Sequence, residues 1–342
     1  RLHGEVARSM WRPQFPEAAS DDEVPITHVT NAGHLPTVLS EPLRSLFNRY
    51  LGAGWEARAS DSATWAPIAS VPNDELWHAR CTAREQLIAY VRHKSQIDRL
   101  QRGEQIEYVR AAATALDAGA LTLGFARRLA TYKRVYLLAY DPERAIRLVT
   151  GDPPVQLVVA GKAHPLDEDG KHALRDLFEL KRRSQDLARR VVVLEDYDLS
   201  VGRQLVAGCD VWINLPRRPL EASGTSGMKA IFNGGLQLSV LDGWWAEAYD
   251  GSNGWAIPTA DGLTPEETDA HDAAALYDLL EQEVIPLFHE RDGDGVPHGW
   301  CEKVKAALVT CAPRFTTTRM LDEYVQQVYA PATRLEAVAP TD

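Results

Sequence analysis

Val211-Trp212-Ile213-Asn214-Leu215, then Glu221-Ala222-Ser223-Gly224-Thr225-Ser226-Gly227-Met228-Lys229, then Leu236–Leu241 read in turn as strand, helix start and strand. The outer two are short apolar runs, as buried strands are, and the middle one sets glycines among hydroxyl and carboxylate side chains. A helix start offers unpaired backbone N–H groups and the positive end of the helix dipole, so it suits a phosphate. Thr225 and Lys229 are four apart, one turn on the same face of that helix. A lysine one turn inside a phosphate-binding turn can join an aldehyde cofactor that also carries a phosphate. The spacing equally fits an ordinary Gly/Ser loop that caps a helix.

The same rhythm extends upstream. Leu121–Ala126, Val155–Ala160 and Val191–Leu194 read as strands; helices are predicted from about Lys133 to Thr150, over Asp167–Arg183 and over Leu199–Ala207. Strands this apolar, alternating with helices, predict an α/β fold: a Rossmann-like parallel sheet with helices on both faces. Ligands of such sheets bind beyond the C-terminal strand ends. Every polar motif of interest falls there: Arg127/Arg128, Gly161-Lys162, Glu195-Asp196-Tyr197 and Glu221–Lys229.

Arg127, Arg128 and Lys133 put three cations near one strand end, the charge that a phosphate dianion needs. A solvated basic helix start is the alternative, but cations there oppose the dipole. Tyr197 reads either as a site residue or as a half-buried tyrosine with a satisfied hydroxyl. Lys162 by itself is a surface lysine. Trp244–Gly251, aromatic and acidic, fits carbohydrate or an ordinary packed loop.

From Glu41 to Ala118 the chain is predicted mainly helical. Leu43, Leu46, Phe47 and Tyr50 share one helical face, and Leu87, Ala89–Val91 and Ile97 another. Trp55, Trp65 and Trp77 are read as core or lining residues, not as a sugar platform. Three tail helices are predicted over Leu276–Ile285, Glu302–Val309 and Thr318–Tyr329.

The 342 residues suffice for a large core or two domains, and 45% hydrophobic with 25% charged residues is an ordinary soluble composition. A net charge of −11 disfavours nucleic acid as a partner. Four scattered cysteines without a Cys-x-x-Cys pair predict free thiols and neither a disulfide frame nor a metal site. No apolar run is long enough for a membrane span and no signal peptide is evident, so a cytoplasmic location is expected.

Glu221–Lys229, Asn233-Gly234-Gly235 and Leu241-Asp242-Gly243 together resemble the pyridoxal-phosphate site of the α-glucan (glycogen, starch, maltodextrin) phosphorylases. Gly124-Phe125-Ala126-Arg127-Arg128-Leu129-Ala130-Thr131-Tyr132-Lys133-Arg134 resembles their phosphate-binding segment. The resemblance runs from Leu2 to about Tyr329 and covers the C-terminal part of such an enzyme. It implies the C-terminal half of a two-Rossmann-domain glycosyltransferase (GT-B) fold, with the N-terminal half as a partner. Residues 1–30 would end that N-terminal half and cross over. Residues 31–318, with a helical subregion at 41–118, would form the cofactor, phosphate and donor-sugar domain; 319–342 would be the final helix and tail.

The implied reaction is phosphorolysis of terminal α-1,4-linked glucose to α-glucose 1-phosphate, with inorganic phosphate and α-1,4-glucan as substrates. Pyridoxal 5'-phosphate would be the cofactor, held on Lys229 as a Schiff base and working through its own phosphate. Lys229, Thr225, Ser226, Gly224, Tyr197 and Lys133 would bind that cofactor. Arg128, Lys133 and Lys229 would be catalytic, Arg128 and Lys133 holding the substrate phosphate with Arg127 in support. Glu221, Ser223, Gly224 and Asn31 would hold the sugar, although Asn31 also reads as a turn residue bonding its own backbone. Val38 stands where the family usually has Trp. The isolated chain is expected to be inactive. A nucleotide-sugar glucosyltransferase of the same fold, similar to glycogen synthase, and a non-catalytic glucan-binding module stay open as alternatives, as does a homo-oligomer.

Overall fold

The computed structural model describes residues 2–164 and 166–336. Six strands form one all-parallel sheet: β1 (Leu121–Ala126), β2 (Val155–Ala160), β3 (Val191–Leu194), β4 (Val211–Asn214), β5 (Leu236–Val240) and β6 (Gly254–Ile257). Their order is β3-β2-β1-β4-β5-β6. The chain steps outward from β1 to β3, returns to the middle, and steps outward the other way from β4. Right-handed crossovers in opposite directions place the connecting helices on opposite faces. Pro142–Thr150, Glu168–Arg182 and Gln185–Arg190 cover one face; Leu199–Gly208 and Thr225–Phe232 cover the other. Every residue of β1, β2, β4 and β5 is buried, which is why these strands read as continuous apolar runs without alternation. β1 and β4 pair at Leu123 with Val211 and Gly124 with Trp212. Their connections leave in opposite directions, and the crevice that opens there is the usual ligand position of such sheets.

The parallel sheet appears where the sequence placed it, with β6 as an additional strand. The helix expected from Lys133 to Thr150 is different. It starts at Pro142, with the Asp141 side chain accepting from the Arg144 N–H. Before it lie two short 3-10 turns, Thr131–Lys133 and Val135–Ala139, separated by Arg134 at φ 50°. The left-handed conformation is held by what the buried Arg134 side chain reaches. It donates to the Leu215 and Pro216 carbonyls, both at 2.9 Å, to Asp269 at 2.9 Å and to Asp272 at 2.6 Å. The loop after β1 is thereby bolted to the loop after β4. Lys133 therefore does not sit at an α-helix start, and the dipole argument does not apply to it.

The long helix Asn73–Gln101 also departs from expectation. Its buried stripe is Leu76, Ala79, Arg80, Ala83, Arg84, Leu87, Ile88, Val91, Ser95 and Arg99, while Ala89 and Ile97 face outward. Three of these positions are arginines, and two of them, Arg80 and Arg84, pair with the fully buried Asp210 that precedes β4. Trp55 and Trp65 are core as expected, edge-to-face with Phe47 and with each other, and Trp77 packs on Phe288. Trp244 and Trp245 are buried too, at the start of the short helix Trp245–Ala248. The tail is helical over Pro265–Leu279 and onward to His289, over His298–Cys311, and over Thr317–Tyr324 and onward to Glu336. Residues 337–342 of the expected C-terminal tail lie outside the described residues. All four cysteines are free. No described helix is long and apolar enough to cross a membrane.

Candidate active site

β1 ends at Ala126, so Arg127 is the first residue beyond the sheet. Its backbone still donates to the Ala160 carbonyl of β2 at 3.1 Å, which fixes its direction. The side chain lies in the crevice, 8% exposed, over the Phe125 ring. Its Nη1 donates to Glu221 Oε2 at 3.0 Å, and the Lys133 ammonium donates to the same oxygen. Lys133 and Glu221 are 7% and 5% exposed, so this is a buried cluster of two cations on one carboxylate. Burial lowers the Arg127 pKa and Glu221 opposes that shift. Arg128, the neighbouring cation, is exposed and free of ion pairs among the described residues.

Glu221 is aimed from behind by Asp242, which the sequence reading quoted but gave no role. The wholly buried Asp242 accepts from the Glu221 N–H and the Gly243 N–H, each at 2.9 Å. Burial raises its pKa and those two bonds oppose the rise. The Leu241-Asp242-Gly243 turn thus positions the β4 loop, and the Trp244 N–H ties it further to the Ser223 carbonyl at 2.9 Å.

The helix Thr225–Phe232 begins against this cluster. Gly224 caps it at φ 76°, a conformation that favours glycine, and a Cβ there would lie 3.5 Å from the Glu221 carboxylate carbon. Gly227 lets the helix rest directly on β5, since a Cβ would meet Gln237 Oε1 at 2.2 Å. The Ser223 hydroxyl and Asn214 Oδ1 are buried at this end without a partner among the described residues. Ser226 Oγ accepts from Trp212 Nε1 at 3.1 Å, which leaves its own proton to donate. Thr225 is half-buried at the first helical position.

Lys229 is half-buried one turn further on and makes no ion pair or hydrogen bond from its side chain among the described residues. Its stem packs against Gly33, whose added Cβ would lie 3.4 Å from Lys229 Cγ. The crossing segment therefore roofs this helix, held by Gly33–Thr316 pairing and by Asn233, which bonds the Ser40 N–H and the Val38 carbonyl. Val38 is buried at that contact. Asn31 is exposed, and its side chain accepts from the Ala32 N–H at 2.8 Å, the turn geometry weighed from sequence. Tyr197 is half-buried after β3; burial raises its pKa and Arg127 counteracts the rise. Lys162 pairs at the surface with Asp196 at 3.5 Å and stays outside the cluster.

Arg127, Lys133, Glu221 and Gly224 are thus brought into one place, with Lys229 one turn away along the helix. The Glu221 pairing is what sequence spacing did not reveal. Glu221→Gln is expected to cost about 3 kcal/mol, because it leaves two buried cations without a counter-charge. Inorganic phosphate should then raise the melting temperature of the variant more than that of the unaltered chain. Equal phosphate responses would contradict the anion-site reading.

The Carbohydrate phosphorylase family model matches residues 68–270. Glycogen phosphorylase of Mycobacterium tuberculosis (strain ATCC 25618 / H37Rv) is 44% identical over 337 residues, 97% of this chain and 38% of the relative. Maltodextrin phosphorylase of Thermococcus litoralis is 41% identical over 335 residues, 97% of this chain and 39% of the relative. Glycogen phosphorylase of Aquifex aeolicus is 39% identical over 331 residues, 96% of this chain and 47% of the relative. The chain spans less than half the length of these curated relatives. With a matching family model over most of its length and a doubly wound sheet carrying the motifs at its strand ends, this chain belongs to the carbohydrate phosphorylase family.

Proposed function

We propose that this chain carries the cofactor- and phosphate-binding wall of the cleft of an α-1,4-glucan phosphorylase. Such an enzyme releases α-glucose 1-phosphate from non-reducing ends with retained configuration. The observation that supports this best is the meeting of Arg127, Lys133 and Glu221 with the helix start at Gly224. In the same reading, residues 1–30 close an N-terminal half, 31–318 form the catalytic domain and 319–342 are the final helix and tail.

The residues fit pyridoxal phosphate. Thr225 and Ser226 with their N–H groups and hydroxyls, Gly224 with its open approach, and the Lys133 ammonium would hold the cofactor phosphate. Lys229, without an ion pair among the described residues, would hold the aldehyde, and Tyr197 would contribute to holding the cofactor. When bound, this cofactor supplies a phosphate that can exchange a proton with the substrate phosphate. A nucleotide-sugar transferase of the same fold needs no such lysine, so the unengaged Lys229 favours the phosphorylase reading.

Arg128 and Lys133 hold the inorganic phosphate, with Arg127 fixed behind them by Glu221. Glu221, Ser223, Gly224 and Asn31 take the hydroxyls of the terminal glucose; Asn31 would exchange its bond to Ala32 for one to sugar. The substrate phosphate gives a proton to the glycosidic oxygen as the C1–O bond breaks, and one of its oxygens then bonds to C1. Two phosphates side by side repel each other, so the cations and the helix start lower the barrier by stabilising that charge before reaction.

Arg128→Ala should weaken the use of phosphate far more than the use of glucan. Losing a hydrogen bond to a charged group costs about 1.5–3 kcal/mol, roughly tenfold to a hundredfold. The check is glucose 1-phosphate formation by the longer enzyme at varied phosphate and maltodextrin. An unchanged dependence on phosphate would refute the role of Arg128 and the proposed chemistry with it.

A further inference from the structure

Beyond the last turn of the long helix lies a second cavity, of about 590 Å³, lined by Arg102, Glu104, Tyr108, Phe178, Lys181 and Glu195 among others. Its lining includes Glu195, the first residue after β3, and Ala188 from the helix that precedes that strand. Lys181, in the last turn of the helix Glu168–Arg182, is 6% exposed and has no hydrogen bond or ion pair among the described residues. Burial, and after it the Arg99 guanidinium, push its pKa down to about 8, with Glu104 acting the other way. A buried ammonium without a counter-charge is costly, and folds rarely keep one idle.

Glu104 offsets this only in part, and no neighbour bonds the ammonium among the described residues. Arg99 is a second buried cation, stacked 3.8 Å from the Tyr108 ring centroid and donating to the Tyr108 carbonyl at 2.5 Å. Glu104 Oε1 and Glu195 Oε2 are both taken by Arg102, each at 2.7 Å. Glu104 Oε2 is buried with no partner among the described residues. One cavity wall therefore presents an unpaired cation, an unpaired acceptor and the aromatic side chains of Tyr108 and Phe178. Water alone would leave the ammonium without a directly paired counter-charge. A simple anion would leave Glu104 Oε2 without a donor.

We propose that this cavity binds a small hydroxylated phosphate ester. Its phosphate rests on Lys181, with Arg182 at the wall; a hydroxyl donates to Glu104 Oε2; its carbon frame lies against Tyr108 and Phe178. The volume is within the usual range of small-molecule sites. The site is separate from the β1/β4 crevice, yet Glu195 stands only two residues before Tyr197. An occupant that loosens the Arg102–Glu195 pair would act on the loop that carries Tyr197.

Ribose 5-phosphate is the probe, with ribose and inorganic phosphate as controls. Titrations use the Arg128→Ala chain, which weakens the strand-end phosphate contacts, and the effect of Lys181→Met is read against that background. In the unaltered chain, ribose 5-phosphate should protect the Lys181 peptide from acetic anhydride, read by mass spectrometry, and ribose should not. Adding Lys181→Met should weaken ribose 5-phosphate binding by roughly tenfold to a hundredfold. The same change should leave the melting temperature of the free chain unchanged or raised, because an unpaired buried charge has gone. Glu104→Gln should reduce the preference for ribose 5-phosphate over inorganic phosphate. Unprotected Lys181, or undiminished binding by the Lys181→Met chain, would overturn the site. Equal protection by inorganic phosphate would overturn the ester assignment. Should Lys181→Met fail to fold, the protection experiment on the unaltered chain still decides.

Discussion

Asp210→Ala is expected to cost about 3–5 kcal/mol of stability, as removal of one partner from a buried ion cluster does. Asp210 is wholly buried, and Arg80 and Arg84 have side chains only 1% and 2% exposed. Its Oδ1 accepts from Arg84 at 2.8 Å and Arg80 at 3.3 Å, and its Oδ2 accepts from the Thr122 N–H of β1 at 3.0 Å. Arg80 also donates to the carbonyls of Ala207 and Cys209 at 2.8 Å and of Asn233 at 2.6 Å. It thus sits at the C-terminal ends of two helices, where a cation complements the dipole. One carboxylate therefore anchors the long helix, the starts of β1 and β4, and the helix that carries Lys229. Its loss would leave two adjacent guanidinium groups uncompensated and the Thr122 N–H unpaired. Domain stabilities are typically about 5–15 kcal/mol, so this is a large share. Asp210→Asn keeps an acceptor and removes only the charge, and should lose less. Urea unfolding is the check, with a lower midpoint at an unchanged slope expected. A loss below about 1 kcal/mol would mean that the carbonyls alone satisfy both arginines, contrary to the usual cost of a buried unpaired charge.

Assayed alone, the 342-residue chain should form glucose 1-phosphate at least about a hundredfold more slowly than the longer enzyme, because misplacement by even an ångström costs that much. The cation cluster, the helix start and Lys229 all belong to one wall, beyond the sheet ends. The chain covers 38% to 47% of these relatives' length, so more than half of each relative has no counterpart in it. A wall open to water screens the charges that hold two phosphates together and leaves the reacting carbon accessible to hydrolysis. The chain should still fold, because its six-stranded sheet is complete in itself. Maltodextrin and phosphate supplied to both proteins under the same conditions give the comparison. Similar turnover by the two would show that this wall suffices.

Most of the sheet was legible because burial on both faces leaves strands as bounded apolar runs. β2 and β3 match their expected limits to the residue, and β4 and β5 each end one residue early. β6 escaped because Gly254-Trp255-Ala256-Ile257 is four residues long and begins at a glycine of φ 157°, with no pattern to separate it from a loop. The break at Arg134 was invisible because its cause lies in carbonyls and carboxylates more than eighty residues away. Arg80 and Arg84 were missed for a related reason: hydropathy cannot tell a buried, paired arginine from a solvated one, so the stripe was drawn through Ala89 and Ile97. At the site, residue types were legible and pairings were not. Glu221 lies 94 residues from Arg127 and 88 from Lys133 in sequence, and only the adjacency of β1 and β4 joins them. That adjacency was open to inference, since ligands of such sheets gather where connections diverge. Asp242, within a quoted motif, could have been given its positioning role on the same ground.

The most direct test is to isolate a longer protein that contains this chain as natively produced, reduce it with borohydride, and map any adduct by mass spectrometry. The proposed site requires the added mass of a reduced pyridoxal phosphate on the peptide containing Lys229, with loss of the native enzyme's Schiff-base absorbance on reduction. An adduct on another lysine, or no pyridoxal phosphate in native protein, would contradict it.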